Sequence, residues 1–121
     1  MKKTVLVVED DKYLREVLVE KLKKDGFEVV EVMDGQAGLA ATAKKKPDIV
    51  VLDIILPIMN GFDYLEAKGK DASIKDIPVI ILSNLGQKED VERGMKLGAK
   101  DYIVKAHFTP NDLIAKIQGI I

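Results

Sequence analysis

A chain of 121 residues with 47% hydrophobic content is the length of one compact domain with a buried core, and no stretch approaches the roughly 20 apolar residues of a membrane span. Nineteen basic side chains against 20 acidic ones leave a formal charge of −1, which removes the bulk positive charge that holds phosphate backbones, so direct nucleic acid binding is not expected. With no cysteine, disulfides, thiolate-bound zinc and cysteine nucleophiles are excluded together.

The opening Met1-Lys2-Lys3 ahead of Thr4 to Val8 imitates a signal peptide, but Glu9, Asp10 and Asp11 end the apolar run too early, and a cytoplasmic location is expected. Val5 to Val8 is the first predicted strand. A helix follows in which Leu14, Val17, Leu18 and Leu22 recur at three- and four-residue intervals, with Arg15, Glu16, Glu20 and Lys23 assigned to the opposite, solvent side. Gly26 ends it. Val29 to Val32, interrupted by Glu31, is the second strand, and Asp34 to Lys45 the second helix, where Lys44-Lys45-Lys46 suits the negative end of the helix dipole.

Ile49 to Leu52, Val79 to Leu82 and Tyr102 to Val104 complete five strands, and Asp63 to Lys68, Gln87 to Leu97 and Thr109 to Ile121 complete five helices. Runs such as Ile49-Val50-Val51-Leu52, β-branched and apolar on both faces, suit interior strands of a parallel sheet covered by helices. The expected class is therefore α/β: a (βα)5 doubly wound five-stranded parallel sheet in the order 2-1-3-4-5, one domain over residues 1–121. The sequence stops directly after the last predicted helix, so the expectation is a domain that works alone or was cut from a longer chain, with any output module beyond Ile121.

Doubly wound sheets bind ligands beyond the carboxyl ends of their strands, where the strand order reverses, here between strands one and three. Strand one runs into Glu9-Asp10-Asp11, strand three into Asp53, strand four into Ser83 and strand five into Lys105. Carboxylates meeting in one cleft repel one another, raise a pKa or gather a cation, and a hard oxygen set favours Mg2+, which keeps several waters and takes one or two carboxylates plus a substrate phosphate. In that setting Asp53 is the candidate nucleophile toward phosphorus, Lys105 the charge that neutralises the transferring group, and the Ser83 hydroxyl a hydrogen-bond donor to it. Taken singly, Asp10 or Asp11 suits a helix cap, Asp53 a loop position before Pro57, Ser83 a turn hydroxyl and Lys105 a surface amine. Their shared edge and complementary chemistry weigh against coincidence.

Val7-Val8-Glu9-Asp10-Asp11, Leu52 to Gly61 and Gly98 to Lys105 closely resemble the motifs of response-regulator receiver domains, the CheY-like family of two-component signal transduction, and the resemblance spans nearly the whole chain. It implies the flavodoxin-like fold, Asp53 as phosphoacceptor, Ser83 as hydroxyl switch residue, Tyr102 as aromatic switch, and Lys105 as the family's lysine. It further implies Mg2+ held by Asp10, Asp53 and the backbone carbonyl of Ile55, with Glu9 acting through bound water. A sensor histidine kinase or phosphotransfer protein would be the donor. The downstream protein target would dock on the face of helix four, strand five and helix five, which carries Lys88, Glu89, Arg93, Lys96, Asp101 and Tyr102. On its own chemistry, Tyr102 suits half-buried packing in an edge strand equally well, and His107 reads as a loop residue.

Three departures from the pattern carry expectations. Receiver domains usually follow the lysine with proline, whereas Lys105-Ala106-His107-Phe108-Thr109-Pro110 stands here, so either a strained loop or a displaced lysine is expected. Ile55 and Leu85 stand where the family controls water access to the acyl phosphate, which points to slow self-dephosphorylation. Val91 and Lys96 do not match the ion-pair dimer of the DNA-binding subfamily, which leaves dimerisation open. Among rivals, a haloacid-dehalogenase-type phosphatase wants an aspartate where Ile55 stands, and a flavin-binding electron carrier wants a hydroxyl- and glycine-rich loop where Glu9-Asp10-Asp11 would repel phosphate. A receiver-shaped binding module that is never phosphorylated remains compatible with every motif.

Overall fold

The computed structural model describes residues 2–121. Five strands alternate with five helices: β1 (Thr4–Val8), α1 (Lys12–Lys24), β2 (Glu28–Val32), α2 (Gly35–Lys45), β3 (Ile49–Leu52), α3 (Gly61–Gly69), β4 (Val79–Ser83), α4 (Lys88–Lys96), β5 (Asp101–Val104) and α5 (Pro110–Ile120). All four strand pairings are parallel and the order is β2-β1-β3-β4-β5, as the apolar runs predicted. Among the described residues no helix is long and apolar enough to cross a membrane.

Strand alternation divides the apolar side chains between two cores. Val5, Val7, Ile49, Val51, Ile80 and Leu82 face α1 and α5, where Leu18, Leu22, Leu113, Ile114 and Ile117 meet them. Leu6, Val8, Val50, Leu52, Val79 and Ile81 face the opposite layer with Phe62, Tyr64 and Leu65 of α3. Both faces of the interior strands β1, β3 and β4 are thus dry, which leaves their carboxyl ends as the place where polar side chains emerge.

Helix starts follow cap chemistry. Asp11, Asp34, Asn60 and Thr109 each accept a backbone N–H from three residues on, so Asp34 and Thr109 precede their helices instead of opening them. Asn60 likewise starts α3 two residues before the expected Asp63. Lys44 and Lys45 do occupy the last turn of α2, and Lys46 caps it with φ 46°.

Two expectations fail. Arg15 does not face solvent; it is 8% exposed and shares the buried side of α1 with Leu18, Val19 and Leu22. Its position fits the i, i+3, i+4, i+7 spacing of that face, and only its charge argued otherwise. The segment after β5 is neither strained nor the cause of a displaced lysine. Lys105–His107 forms one 3-10 turn, no cis peptide bond occurs among the described residues, and no residue of that turn has positive φ.

The strain lies in the β3–α3 loop. Ile58 has φ 71° at the centre of a three-residue turn closed by Met59 N–H donating to the Pro57 carbonyl at 2.7 Å. A β-branched residue is unfavourable there, and no packing compensates, since the side chain is 77% exposed. The loop is confined by close backbone approaches: a Cβ at Gly35 would lie 1.8 Å from the Met59 carbonyl oxygen, and one at Gly61 would lie 2.5 Å from that of Asp53. Asparagine tolerates left-handed backbone better than isoleucine. Ile58→Asn is therefore expected to raise folding stability by about 1 kcal/mol, read as a higher urea midpoint at unchanged slope.

Candidate functional site

Register brings the polar residues together. Val8 pairs with Leu52 across β1 and β3, and Asp53 N–H continues the ladder to the Val8 carbonyl at 3.0 Å, so Glu9 and Asp53 leave the sheet side by side. Ser83 pairs with Val104 across β4 and β5, which sets Lys105 one residue beyond the serine's level.

Glu9, Asp10 and Asp53 each offer a carboxylate oxygen within 4.8 Å of the others. Lys105 Nζ lies 2.8 Å from Asp53 Oδ2 and 2.9 Å from Glu9 Oε1. Asp53 Oδ1 accepts from Ile55 N–H at 3.2 Å, and Glu9 Oε2 accepts from Asp11 N–H at 3.1 Å. Glu9 and Asp53 are buried, whereas Asp10 is exposed. Together with Asp11, Ile55, Asn84 and Lys105 they line a cleft of about 300 Å³ open to solvent.

Two carboxylates within about 5 Å repel by ~3 kcal/mol at an effective dielectric constant near 20, and one ammonium cannot cancel three of them. The imbalance falls on the most buried acid. Burial pushes the Glu9 carboxyl up to about 7, and the charge of Asp53 adds to this, while its hydrogen bond from Lys105 opposes it. Burial also disfavours the Lys105 charge, but its bonds to Asp53 and Glu9 outweigh that and hold the amine above its ordinary range. A divalent cation with oxygen ligands would restore balance, and one exposed plus two buried carboxylates fit such an ion and leave room for water.

Asp11 caps α1, which leaves Asp10 free for the cluster and resolves which of the two acids does which. Ser83 is fully buried and does not line the cleft; its Oγ accepts from Leu85 N–H at 3.3 Å. Tyr102 is half-buried and turned inward, its hydroxyl donating to the Leu85 carbonyl. Its ring lies over α4, where a Cβ at Gly94 would meet it at 3.1 Å. Burial, with the charges of Asp90 and Asp53, pushes the Tyr102 hydroxyl up to about 12. Ser83 and Tyr102 are therefore joined through the two polar groups of one residue's backbone. Ile55 sits at the cleft mouth with its side chain 55% exposed.

Asn84, which follows Ser83 where receiver domains often have a smaller residue, lines the cleft, and Arg15 bonds the acidic loop, contacts that no motif in the sequence marks. Arg15 Nη1 donates to the Glu9 carbonyl at 2.9 Å and its Nε to Glu31 Oε1 at 3.2 Å. Helical spacing was the one signal that could have found it.

The arrangement defines a class: a doubly wound α/β domain whose switch point carries an acidic, lysine-closed, cation-compatible cleft. Residues 5–118 match the model of the response regulator receiver domain, and the chain belongs to that family. It is 36% identical over 121 residues to the phosphate regulon transcriptional regulatory protein PhoB of Klebsiella pneumoniae, covering all of this chain and 52% of that protein. It is 33% identical over 119 residues to PhoB of Pseudomonas aeruginosa, covering 98% of this chain and 52% of that protein. The chain thus spans about half the length of these curated relatives. Among solved structures, the chemotaxis response regulator CheY4 of Vibrio cholerae superposes with a TM-score of 0.91 at 28% identity, each chain covered completely. The phosphatase and electron-carrier alternatives fall with this membership.

The raised Glu9 carboxyl has a consequence for stability. Its proton is bound more tightly in the folded chain, so its contribution is complete below pH 4.5 and is lost as the pH rises through about 7. In EDTA, the urea-unfolding free energy should show this decline across that window, and Glu9→Gln, which keeps a neutral side chain at every pH, should abolish it.

Proposed function

We propose that Asp53 accepts a phosphoryl group in a Mg2+-dependent reaction and that the modification switches the partner-binding surface of α4, β5 and α5. The observation that carries this reading is the convergence of Glu9, Asp10 and Asp53 within 4.8 Å, with Lys105 Nζ bridging Asp53 and Glu9. Asp10, Asp53 and the Ile55 carbonyl are the proposed ligands of the metal, with Glu9 reaching it through water. When bound, Mg2+ supplies charge that offsets the transferring phosphoryl oxygens.

The steps belong to the chain's own residues. An Asp53 carboxylate oxygen forms the new P–O bond as the donor's bond to phosphorus breaks, and the leaving group departs with that electron pair. From a phosphohistidine of a sensor kinase or phosphotransfer protein, the leaving group is imidazole. Lys105 follows the developing charge, since its amine already contacts Asp53 at 2.8 Å. Asn84 and Ile55 frame the opening through which the donor, and later water, must pass.

The switch uses the Leu85 backbone. Drawing the Ser83 hydroxyl toward a phosphoryl oxygen pulls on the Leu85 N–H that it accepts, and so on the carbonyl that holds the Tyr102 hydroxyl. Tyr102 packs on α4, so its release alters the face on which Arg93 is stacked over Phe62 and Asp101 pairs with Lys116 at 2.7 Å. A downstream protein reading that face would report the state of Asp53. The transcriptional regulators that match this chain make a transcription-linked output the first choice for that target.

Incubation with Mg2+ and phosphoramidate, followed by intact mass measurement, should add one phosphoryl group to the wild type and none to Asp53→Asn. A wild type left unmodified by this treatment would refute the reading. Ile55→Asn should lose its adduct severalfold faster than the wild type, because an exposed amide can orient the attacking water where an alkyl group excludes it.

A further inference from the structure

We infer that Arg15 is a positioning residue for the acidic cleft, setting the direction of the Asp10 carboxylate through the Glu9 carbonyl. The inference rests on reading that cleft as a Mg2+ site. Arg15 is 8% exposed on the first turn of α1 and makes two directed contacts: Nη1 to the Glu9 carbonyl at 2.9 Å and Nε to Glu31 Oε1 at 3.2 Å.

Stability alone does not account for a guanidinium here. Leu18, Val19 and Leu22 continue the same buried face, and an apolar residue at position 15 would extend it without the desolvation cost of a charge. The ion pair recovers little of that cost, because the Glu31 side chain is 45% exposed. What the arginine does uniquely is tie three elements together, since β2 supplies Glu31, α1 supplies Arg15 itself and the end of β1 supplies the Glu9 carbonyl.

Glu9 is otherwise anchored by its N–H, which donates to the Val32 carbonyl at 3.1 Å, and by its carboxylate at Lys105 and Asp11. Its carbonyl shares one rigid plane with the Asp10 N–H. Holding that carbonyl fixes the plane from which Asp10 departs, and Asp10 is the exposed member of the carboxylate set. The guanidinium bonds the carbonyl and Glu31, so it orients the cleft without occupying an acidic oxygen that a cation needs. Lys105, by contrast, sits on two of those oxygens.

Charge and position predict opposite signs, which makes the test decisive. Removing a positive charge behind three carboxylates should by Coulomb's law tighten Mg2+ binding. Losing the orientation of a ligand should weaken it, by about 10-fold or more for a partner of this kind. Mg2+ is titrated into the wild type, Arg15→Met and Arg15→Gln with no phosphodonor, followed by amide NMR shifts, and each protein's thermal midpoint is measured in EDTA. Weaker Mg2+ binding by a folded Arg15→Met is the expected result. Unchanged or tighter binding overturns the inference, whatever happens to the midpoint. Should Arg15→Met not fold, Arg15→Gln decides by the same criterion, being neutral and unable to reach both acceptors. A wild type that binds no Mg2+ overturns the metal reading and this inference with it, whereas a wild type that binds and is phosphorylated beside variants of equal affinity overturns the role of Arg15 alone.

Discussion

Because Val8 stands opposite Leu52 in the parallel β1–β3 ladder, the next residue on each strand leaves the sheet at the same height, and both residues are acids. Everything at the site follows from that juxtaposition. Shifting the register by one residue would turn one carboxylate to the other face of the sheet, where it would enter a dry core. The ladder is locked against such a slip, because Val5, Leu6, Val7 and Val8 are all fully buried, each packed into one of the two cores. The hydrophobic layers on both faces therefore maintain an electrostatic arrangement that the carboxylates themselves oppose.

That opposition is the stored quantity of the molecule. Lys105 meets Asp53 and Glu9 at once, yet burial, helped by the charge of Asp53, still lets Glu9 hold its proton up to about 7. A bound cation would resolve the repulsion, and on the proposed function a dianionic group on Asp53 would change it again, each altering which contacts Lys105 and Ser83 make best. The neighbouring elements respond through few connections. Leu85 N–H reaches Ser83 and its carbonyl receives Tyr102, so the two side chains share one residue's backbone.

The order of strands, the burial of the interior strands and the clustering of Glu9, Asp10, Asp53 and Lys105 were legible in the sequence, because short apolar runs mark interior strands and polar residues at their carboxyl ends have one edge to share, whereas Ser83 lies outside the cleft lining and Asn84 within it. Legibility stopped where residue type and position disagree. Arg15 occupies a core position by spacing and a surface position by charge, and the sequence reading followed charge; burial is affordable only because the Glu9 carbonyl and Glu31 lie within reach, and those partners come from the ends of two other elements. The loops misled for a related reason. Lys105-Ala106-His107 looked strained because proline is missing, yet a 3-10 turn delivers the amine without it. Ile58 looked ordinary, and its left-handed φ follows from the confinement of the β3–α3 loop by Gly35 and Gly61, a tertiary fact.

These features combine into one division of labour at the carboxyl edge. Residues that must hold direction are fixed by backbone contacts within the fold: Glu9 by the Val32 carbonyl and Arg15, Asp53 by the Val8 carbonyl and Ile55 N–H, Asp11 by the cap of α1. The side chains proposed to respond, Ser83 and Tyr102, both hydrogen-bond to the backbone of Leu85, which lies in a strand-to-helix loop. A site that must rebalance charge without losing its shape needs both kinds. On the proposed function, the rigid half would preserve the geometry in which a phosphoryl group is received, and the Leu85 connection would carry that local change of charge to α4, where the Tyr102 ring lies against Gly94.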